Sequence, residues 1–421
     1  MSWLLFLFFL SISCELIHLK ILFFTVRPNI LISLLPLSLF FFLHRFQFDK
    51  EFLFVALGCF CSLLLSALFG EHLLACYGLL FLFLFKFLTF FVFPMNLFRI
   101  YPANLLYRLY FMSFVVIGLF AFAQVLFSAF GIYLPGTTQR IGSLARGQAL
   151  FHEPSFYALY ATPFAIFETA RFLLKQKNRL SFFAANIFLL ASTSTGCFFS
   201  YLALFFFLIL FKCLRILRNF SLLKTASLFV GSLSFFGFLF WILQPTLITH
   251  GLLKYFGSEL LSSSFAPRWE GIKQFWKIFI ENPFLGTGLG GATTYYARME
   301  GIEFSSLNSE LLDAYGATNV ATEILGSLGL LGSFLFFIFF VILWRRCRQT
   351  LQLSLSDEER ANLTAAILSL CVLFFTLQFN QSIMRPYVWL HVGLCIGYMN
   401  SLSFRSPKSV FSQLQTCKST F

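Results

Sequence analysis

Long apolar runs separated by short polar stretches are the main pattern along this chain of 421 residues. An α-helix needs about 20 apolar residues to cross a bilayer, and about twelve runs reach or approach that length. They cover residues 2–19, 21–43, 52–70, 72–93, 109–131, 154–174, 180–194, 197–214, 224–246, 319–343, 361–380 and 386–403. Because lipid offers no partners to the backbone, the pattern predicts an all-α polytopic membrane protein, a single integral membrane domain over residues 1–421.

Composition supports this class and explains the net charge of +13. Only 11% of the residues are charged, against about 25% in soluble domains. Most Lys and Arg fall in alternate loops and in the tail at 404–421, which places that tail and the N-terminus in the cytoplasm. The basic excess is therefore an orientation signal, and we expect no nucleic-acid partner. Lys86 is the clearest charge within a span.

Two segments on the opposite, exterior side are long: residues 132–153 and residues 247–318. The second contains "PRWEGIKQFWKIFIENPFLGTGLGG", residues 267–291. Its apolar positions recur every three or four residues: Trp269, Ile272, Phe275 or Trp276, and Phe279 or Ile280. This spacing predicts an amphipathic helix that begins near Pro267 and ends at Asn282-Pro283. Two interpretations stay open, a lid packed on the bundle or a helix lying flat at the membrane interface.

The same stretch contains residues that are suited to binding an anion. Arg268 stands at the helix start, and Gly286, Gly288 and Gly290 allow close backbone approach and exposed amide hydrogens. No strand precedes these glycines, so a dinucleotide fingerprint is excluded.

A second polar cluster lies in "RIGSLARGQALFHEPSFYALYA", residues 140–161. It contains Arg140 and Arg146, then His152 and Glu153 directly before Pro154, an early position of the sixth helix. A carboxylate at a helix N-terminus is stabilised by the helix dipole, and histidines are common at membrane interfaces. Glu153 and His152 can therefore also be explained by structure without a functional role. Polar groups this dense at a membrane mouth are costly unless they are used, which favours a functional role.

A third stretch, "ATNVATEILGSLGLLGSFLFF" (317–337), opens the tenth predicted helix. Asn319 and Glu323 are four residues apart and share a face, where they serve either structure or function. Gly326, Gly329 and Gly332 let this helix pack closely on a neighbour.

These three stretches, together with "STSTGCFFSYLALF", resemble in order and spacing the O-antigen ligase and polymerase family of bacterial inner-membrane glycosyltransferases. The resemblance covers about residues 135–345. It implies a membrane glycosyltransferase (GT-C-like) architecture of about twelve helices with one large periplasmic loop, 247–318, and a multi-pass protein whose active site faces the periplasm. It also implies no metal and no cofactor, an undecaprenyl-diphosphate-linked glycan as donor, and an acceptor glycolipid among the membrane lipids.

Within that family the sequence favours the polymerase branch. Ligases commonly have a histidine before the Asn of the "TNVATE" segment, and this chain has Ala317 and Thr318 there; "FHEPS" is also more similar to polymerases. The ligase reaction, transfer of the glycan to lipid A core, stays open as the alternative.

The resemblance and the chemistry together suggest roles for the polar residues. Arg268, with Arg140 or Arg146, would hold the diphosphate, and Glu153 completes the catalytic set. A general base would come from Glu153, His152, Glu310 or Asp313. The predicted substrate-binding residues are His152, Trp269, Trp276, Gly286, Gly288, Gly290, Asn319 and Glu323.

Two other classes compete with this interpretation. A lipid-linked oligosaccharide flippase would place charges in the middle of spans and often has two similar halves, and neither feature is visible here apart from Lys86. A cell-wall glycan polymerase would have a similar exterior loop with different motifs.

Overall fold

The computed structural model describes residues 2–15, 19–21, 24–26, 30, 32–34, 36–38, 49–68, 73–141, 144–174, 179–213, 266–299, 301, 319–380 and 383–405. The predicted span 224–246, the acids Glu310 and Asp313, both flanks of the 247–318 loop and the tail beyond residue 405 lie outside these residues. The chain divides into two compact units. The first comprises residues 1–43, 103–265 and 356–376, and the second 44–102, 266–355 and 377–421.

The described residues are mostly helical. The helices are α1 (Ser2–Ser11), α2 (Lys50–Leu68), α3 (Leu73–Phe87), α4 (Phe93–Leu97), α5 (Ala103–Ser128), α6 (Pro154–Leu173), α7 (Arg179–Ala191), α8 (Thr195–Cys213), α9 (Ala266–Glu281), α10 (Gly291–Met299), α11 (Val320–Leu351), α12 (Asp357–Asn380) and α13 (Pro386–Arg405). A π-helical segment, Leu88–Val92, joins α3 to α4. Two antiparallel hairpins pair β1 (Leu19–Ile21) with β2 (Phe24–Val26) and β3 (Arg140–Ile141) with β4 (Leu144–Ala145).

Several of these helices have the length and composition of membrane spans. Within the described residues, five stretches are long and apolar enough to cross a bilayer: Lys50–Leu68, Cys76–Leu97, Ala103–Ser128, Val320–Leu351 and Asp357–Gln378. The described helices also coincide with the predicted spans between residues 52 and 214 and between 319 and 403. The structure therefore agrees with an all-α protein embedded in a membrane.

The N-terminal stretch differs from the two spans predicted over residues 2–19 and 21–43. Helix α1 ends at Ser11, and β1 and β2 occupy the start of the second expected span, whose described residues 30, 32–34 and 36–38 are helical. The Ser11 and Ser13 hydroxyls donate to the carbonyls of Phe8 and Leu10 at 2.8 and 3.0 Å. Such local bonds compete with helix continuation. A run that is apolar throughout has no periodicity to separate helix from short strands.

The core of the first unit is an aromatic cluster between α5, α6 and α7. The Phe114 and Phe164 rings stack at 4.3 Å, and Tyr160 and Phe188 pack beside them. At one side the buried Glu168 carboxylate accepts hydrogen bonds from the Tyr107 and Ser181 hydroxyls and from Arg171. This network satisfies a charge that would otherwise be costly to bury.

The second unit is built on α11, which packs along α2, α9 and α13. Helix α13 approaches the π-helical segment closely, since a Cβ atom on Gly393 would lie 2.5 Å from the carbonyl oxygen of Phe91. The rings of Phe91 and Phe339 pack against Trp389 of α13, and Phe52 packs against both phenylalanines. These contacts fix the platform on which α9 and its following loop lie.

Candidate functional site

The amphipathic helix predicted between Pro267 and Asn282-Pro283 is confirmed as α9, Ala266–Glu281. Its buried side is formed by Gly271, Phe275 and Ile278, which pack with α10 and α11. Phe275, and not Trp276, therefore takes the core position that the sequence left open. Arg268 is partly buried and precedes these residues at helical spacing, so it lies on the packed side of α9.

The other apolar side of α9 is exposed. Trp269, Trp276 and Ile280 are 49%, 48% and 61% exposed, and Phe284, just beyond the helix, is 74% exposed. Lys273 and Lys277 are exposed beside them. One side of the helix is thus a lid on α11, and another combines the aromatic and basic residues typical of a membrane interface.

A charge pair lies at the start of α9. Glu270 accepts hydrogen bonds from Lys273 at 3.0 Å and from Gln274 at 3.0 Å. The Lys273 hydrogen bond lowers the pKa of the Glu270 carboxyl below its ordinary value, with the Gln274 bond acting in the same direction. Glu270 therefore stays ionised near neutral pH, which makes it unsuited to act as a proton acceptor at that pH.

The loop after α9 inserts into a break in α11. Gly329 has φ 60° and ψ −163°, a conformation foreign to a helix. In an unbroken helix the amides of Leu330 and Leu331 would donate to the carbonyls of Gly326 and Ser327. Instead they donate to Pro283 and Phe284 at 2.7 and 3.2 Å.

The two released carbonyls find partners in the same loop. The amides of Thr287 and Gly288 donate to Gly326 and Ser327 at 3.0 and 2.9 Å. The loop therefore replaces two helical hydrogen bonds with four of its own. These bonds join the loop after α9 to α11 through main-chain atoms, and we call this junction the splice.

Gly286 and Gly329 meet at this splice. A Cβ atom on Gly286 would lie 2.6 Å from the Gly329 nitrogen, and one on Gly329 would lie 2.6 Å from the Gly286 nitrogen. Both residues have positive φ, so both the conformation and the space require glycine. The predicted close packing at Gly326 is confirmed, since its Cβ position is 3.2 Å from Phe275.

The splice also limits how the glycine segment can bind an anion. The amides of Gly286, Thr287, Gly288 and Gly291 already donate to carbonyl groups of the chain. Within residues 286–291 the predicted amide site then depends on Leu289 and Gly290. Gly286 and Gly288 contribute shape, and all three predicted glycines are buried.

Asn319 and Glu323, predicted to share a face, bind the same neighbouring segment. Asn319 caps α11 by accepting from the Thr322 amide at 2.9 Å, and its side-chain nitrogen donates to Gln378 O at 2.7 Å. The buried Glu323 carboxylate accepts from the Ile383 amide at 2.8 Å. These bonds tie the start of α11 to the chain between α12 and α13, which gives both residues a structural role.

The first unit holds the other predicted residues, in the described parts 132–141 and 144–153 of one polar segment. Its centre is Gln124 of α5, which is fully buried. The Gln124 amide nitrogen donates to Pro135 O and Ala149 O at 2.9 and 3.0 Å, and its oxygen accepts from the amides of Gln148 and Ala149 at 3.0 and 2.8 Å. One side chain therefore folds this segment over the end of α5.

Arg146 follows β4 and is held in place by polar neighbours. Its guanidinium donates to Gln139 Oε1 at 2.8 Å and to Thr193 Oγ1 at 3.3 Å. Gly147 lets this segment sit tightly, because a Cβ there would lie 2.7 Å from Ala191 O. The guanidinium is partly exposed and its orientation is fixed, as anion recognition requires.

The other predicted residues of this segment lie before and after Arg146 in the chain. Arg140 is exposed, and its guanidinium stacks 3.7 Å above the Tyr133 ring. Glu153 is the N-cap residue of α6, with Pro154 at the first helical position as predicted, and its carboxylate accepts from Ser155 at 2.8 Å. The carbonyl oxygen of His152 accepts from the Thr138 hydroxyl at 3.4 Å.

The site residues therefore fall into two groups. Arg140, Arg146, His152 and Glu153 share one segment of the first unit, and the second unit holds the others, from Arg268 to Glu323. Sequence reasoning missed Gln124, Gln139 and Thr193, which position the first group. A lone glutamine inside an apolar span was the available signal for Gln124, because a buried amide needs partners.

Comparisons with known proteins add no family assignment. No model of a known protein family matches the chain, and no curated protein shows significant similarity to it. The resemblance to O-antigen ligases and polymerases therefore stays a prediction based on the motifs themselves.

Proposed function

We propose that this protein is a multi-pass glycosyltransferase of the bacterial inner membrane with about twelve spans and a GT-C-like architecture. It would polymerise a surface polysaccharide by transferring a glycan from undecaprenyl diphosphate to a lipid-linked repeat unit at the periplasmic face. The observation that carries the proposal is Arg268 on the packed side of α9, in a helix spliced by its loop onto an apolar helix of spanning length.

The chemistry needs fixed positive charge. An acceptor hydroxyl oxygen attacks the anomeric carbon of the donor sugar, and the bond from that carbon to the diphosphate oxygen breaks. The leaving diphosphate gains negative charge as the bond lengthens. Arginine suits this task because its planar fork binds phosphate oxygens in pairs and stays protonated.

Some of the site residues would bind the leaving diphosphate, and others would accept the proton of the acceptor hydroxyl. Arg268 would bind the diphosphate, and Arg146 or Arg140 of the first unit is the alternative candidate for this role. The proton of the acceptor hydroxyl would pass to Glu153 or His152, or to one of the acids Glu310 and Asp313. Trp269 and Trp276, exposed on α9 beside two lysines, would hold the helix at the membrane interface next to the lipid carrier.

A glycan profile of a deletion strain tests the reaction. Strains carrying wild type, Arg268→Ala, Arg268→Lys or the matched control Arg298→Ala would be compared, Arg298 being an exposed arginine of α10. We expect Arg268→Ala to lower chain synthesis about 100- to 1000-fold, the effect of one lost transition-state donor. Arg298→Ala should behave as wild type.

The amounts of glycan on the lipid A core and on the lipid carrier distinguish the polymerase from the ligase and the transporter. A single repeat left on the core, with no ladder, supports the polymerase. Long chains stranded on the lipid carrier with bare core would support the ligase. Unchanged glycans in cells that contain folded Arg268→Ala protein would contradict the enzyme and favour a transporter.

A further inference from the structure

The second unit contains an apolar cavity of about 330 Å³ between α2, α3, the π-helical segment, α11 and α13. Aromatic rings dominate its lining, among them Phe60, Phe83, Phe87, Phe336 and Trp389. Among the described residues of the lining, Asp49 alone carries a charge. Leu57 and Leu88 are part of the lining and are 53% and 38% exposed, so the cavity opens sideways between α2 and the π-helical segment.

An ion pair closes one end of the cavity. Asp49 accepts from Arg346 at 2.6 Å, and Arg346 also donates to Asn400 at 3.2 Å. These bonds join the start of α2 to the ends of α11 and α13. The Asp49 carboxylate is already paired with Arg346, so we do not place a lipid head group at this end.

The opposite end carries a cationic turn, residues 383–385. Lys86 lies between the lining residues Phe83 and Phe87, and its ammonium group donates to Met384 O at 3.0 Å. Trp389 both lines the cavity and donates to Ile383 O at 2.7 Å. Lys86 and Arg385 therefore bring two positive charges to this end, and the carboxylate of Glu323 is bonded to the Ile383 amide of the same turn.

The backbone next to Lys86 is unusual. The π-helical segment begins two residues after it, and π-helical turns are frequently found at functional sites. Here the wide turn accompanies stacking of Phe87 on Phe91 at 4.6 Å, which forms one wall of the cavity. A charge inside an apolar helix is costly to keep, so its position beside a cavity favours a role in binding.

We propose that this cavity binds one acyl chain of an anionic glycerophospholipid, with the head-group phosphate at Lys86 and Arg385. The sideways opening admits a chain from the lipid phase, and the two basic side chains match a phosphate in surroundings of low dielectric. The volume lies at the lower end of the range for small-ligand pockets, enough for part of one alkyl chain and small for a long polyprenyl chain. The site uses neither Arg268 nor Arg146 and is independent of the proposed function.

Native mass spectrometry of delipidated protein, mixed with equal amounts of phosphatidylglycerol and phosphatidylcholine, tests the proposal. We expect wild type to retain one phosphatidylglycerol at least tenfold more often than phosphatidylcholine. Lys86→Gln keeps a donor for Met384 O and removes the charge, so this preference should fall several-fold, as it should in Arg385→Gln. Lys86→Arg should keep it.

Ala56→Phe tests the chain-binding part, because Ala56 lines the cavity and a ring there fills it. Retention of either lipid should fall at least fivefold. The matched control is Phe54→Trp on the same helix, 78% exposed and outside the lining, which should leave retention unchanged.

Three results would overturn the proposal. They are equal retention of both lipids by wild type, full retention by Ala56→Phe, and displacement of phosphatidylglycerol by stoichiometric polyprenyl phosphate, which would assign the cavity to a substrate chain. If Lys86→Gln fails to fold, Arg385→Gln and Lys86→Arg still decide the role of charge.

Discussion

The two polar segments of this protein are fixed in opposite ways. In the first unit, the polar segment is held at Pro135, Gln148 and Ala149 by the side chain of Gln124, whose amide group makes four hydrogen bonds to the backbone. In the second unit, the loop after α9 is held mainly by main-chain bonds, with Gly286 against Gly329. The first arrangement depends on one functional group being present, and the second depends on a group, the Cβ atom, being absent.

Gly329→Ala is the strongest test of the backbone splice. The added Cβ would lie 2.5 Å from the Phe284 carbonyl, in a conformation foreign to alanine. Strain and overpacking together should lower the free energy of unfolding by about 4 kcal/mol, measured by denaturation in mixed micelles. Gly78→Ala is the matched control, since nothing lies within 4 Å of its Cβ position. Equal stability of the two variants would contradict the splice.

Gln124→Leu tests the side-chain arrangement and should cost about 3 kcal/mol, because four backbone groups lose their partner in a buried place. Limited proteolysis should then cleave within residues 132–153 before any other part of the first unit. Gln124→Glu keeps the acceptor and loses the donor, so its effect should be intermediate. A leucine variant with wild-type stability and the same proteolytic pattern would rule out this role.

Asn319→Ala should have a smaller effect. It removes a helix cap and the bond to Gln378 O, for a loss of about 1–2 kcal/mol in unfolding free energy. Asn319→Asp restores the cap acceptor without the donor, so about half of the loss should return. If Asn319→Ala abolished glycan synthesis at unchanged stability, a substrate contact would explain the residue better than this structural role.

The smallest expected effect concerns the exposed pair on α9. Lys273→Gln should return the pKa of Glu270 toward its ordinary value of 4.5, as measured by NMR titration. Because the folded-state pKa is the lowered one, any stabilisation is present above the unfolded pKa and is lost as the pH falls through the folded value. Lys277→Gln is the control and should leave the Glu270 pKa unchanged.

The sequence could predict those features that depend on interactions between residues close together in the chain. Helix α9 was predicted with both ends because Pro267 and Asn282-Pro283 act locally. The spacing alone could not choose between Phe275 and Trp276, since adjacent residues fit a three- or four-residue repeat equally well. The choice depends on which side of α9 meets α11.

Longer-range features could not be inferred in this way. Both glycine clusters were visible, yet nothing local indicates that Gly286 enters a break at Gly329. Likewise, the sequence shows Gln124 as one polar residue in an apolar helix, while its partners lie 11 and 24–25 positions away. These pairings are set by tertiary packing and leave no periodic signal.

The break in α11 has a consequence for biogenesis. Pro283 to Gly288 leave the ribosome before α11 does, so the groups that complete the break already exist when α11 is made. A nascent α11 without them would close its own hydrogen bonds and form a continuous helix, because unsatisfied backbone groups are costly in lipid. The broken helix therefore exists only while the preceding loop is docked on it, so the shape of α11 is a product of tertiary assembly and not of helix formation alone.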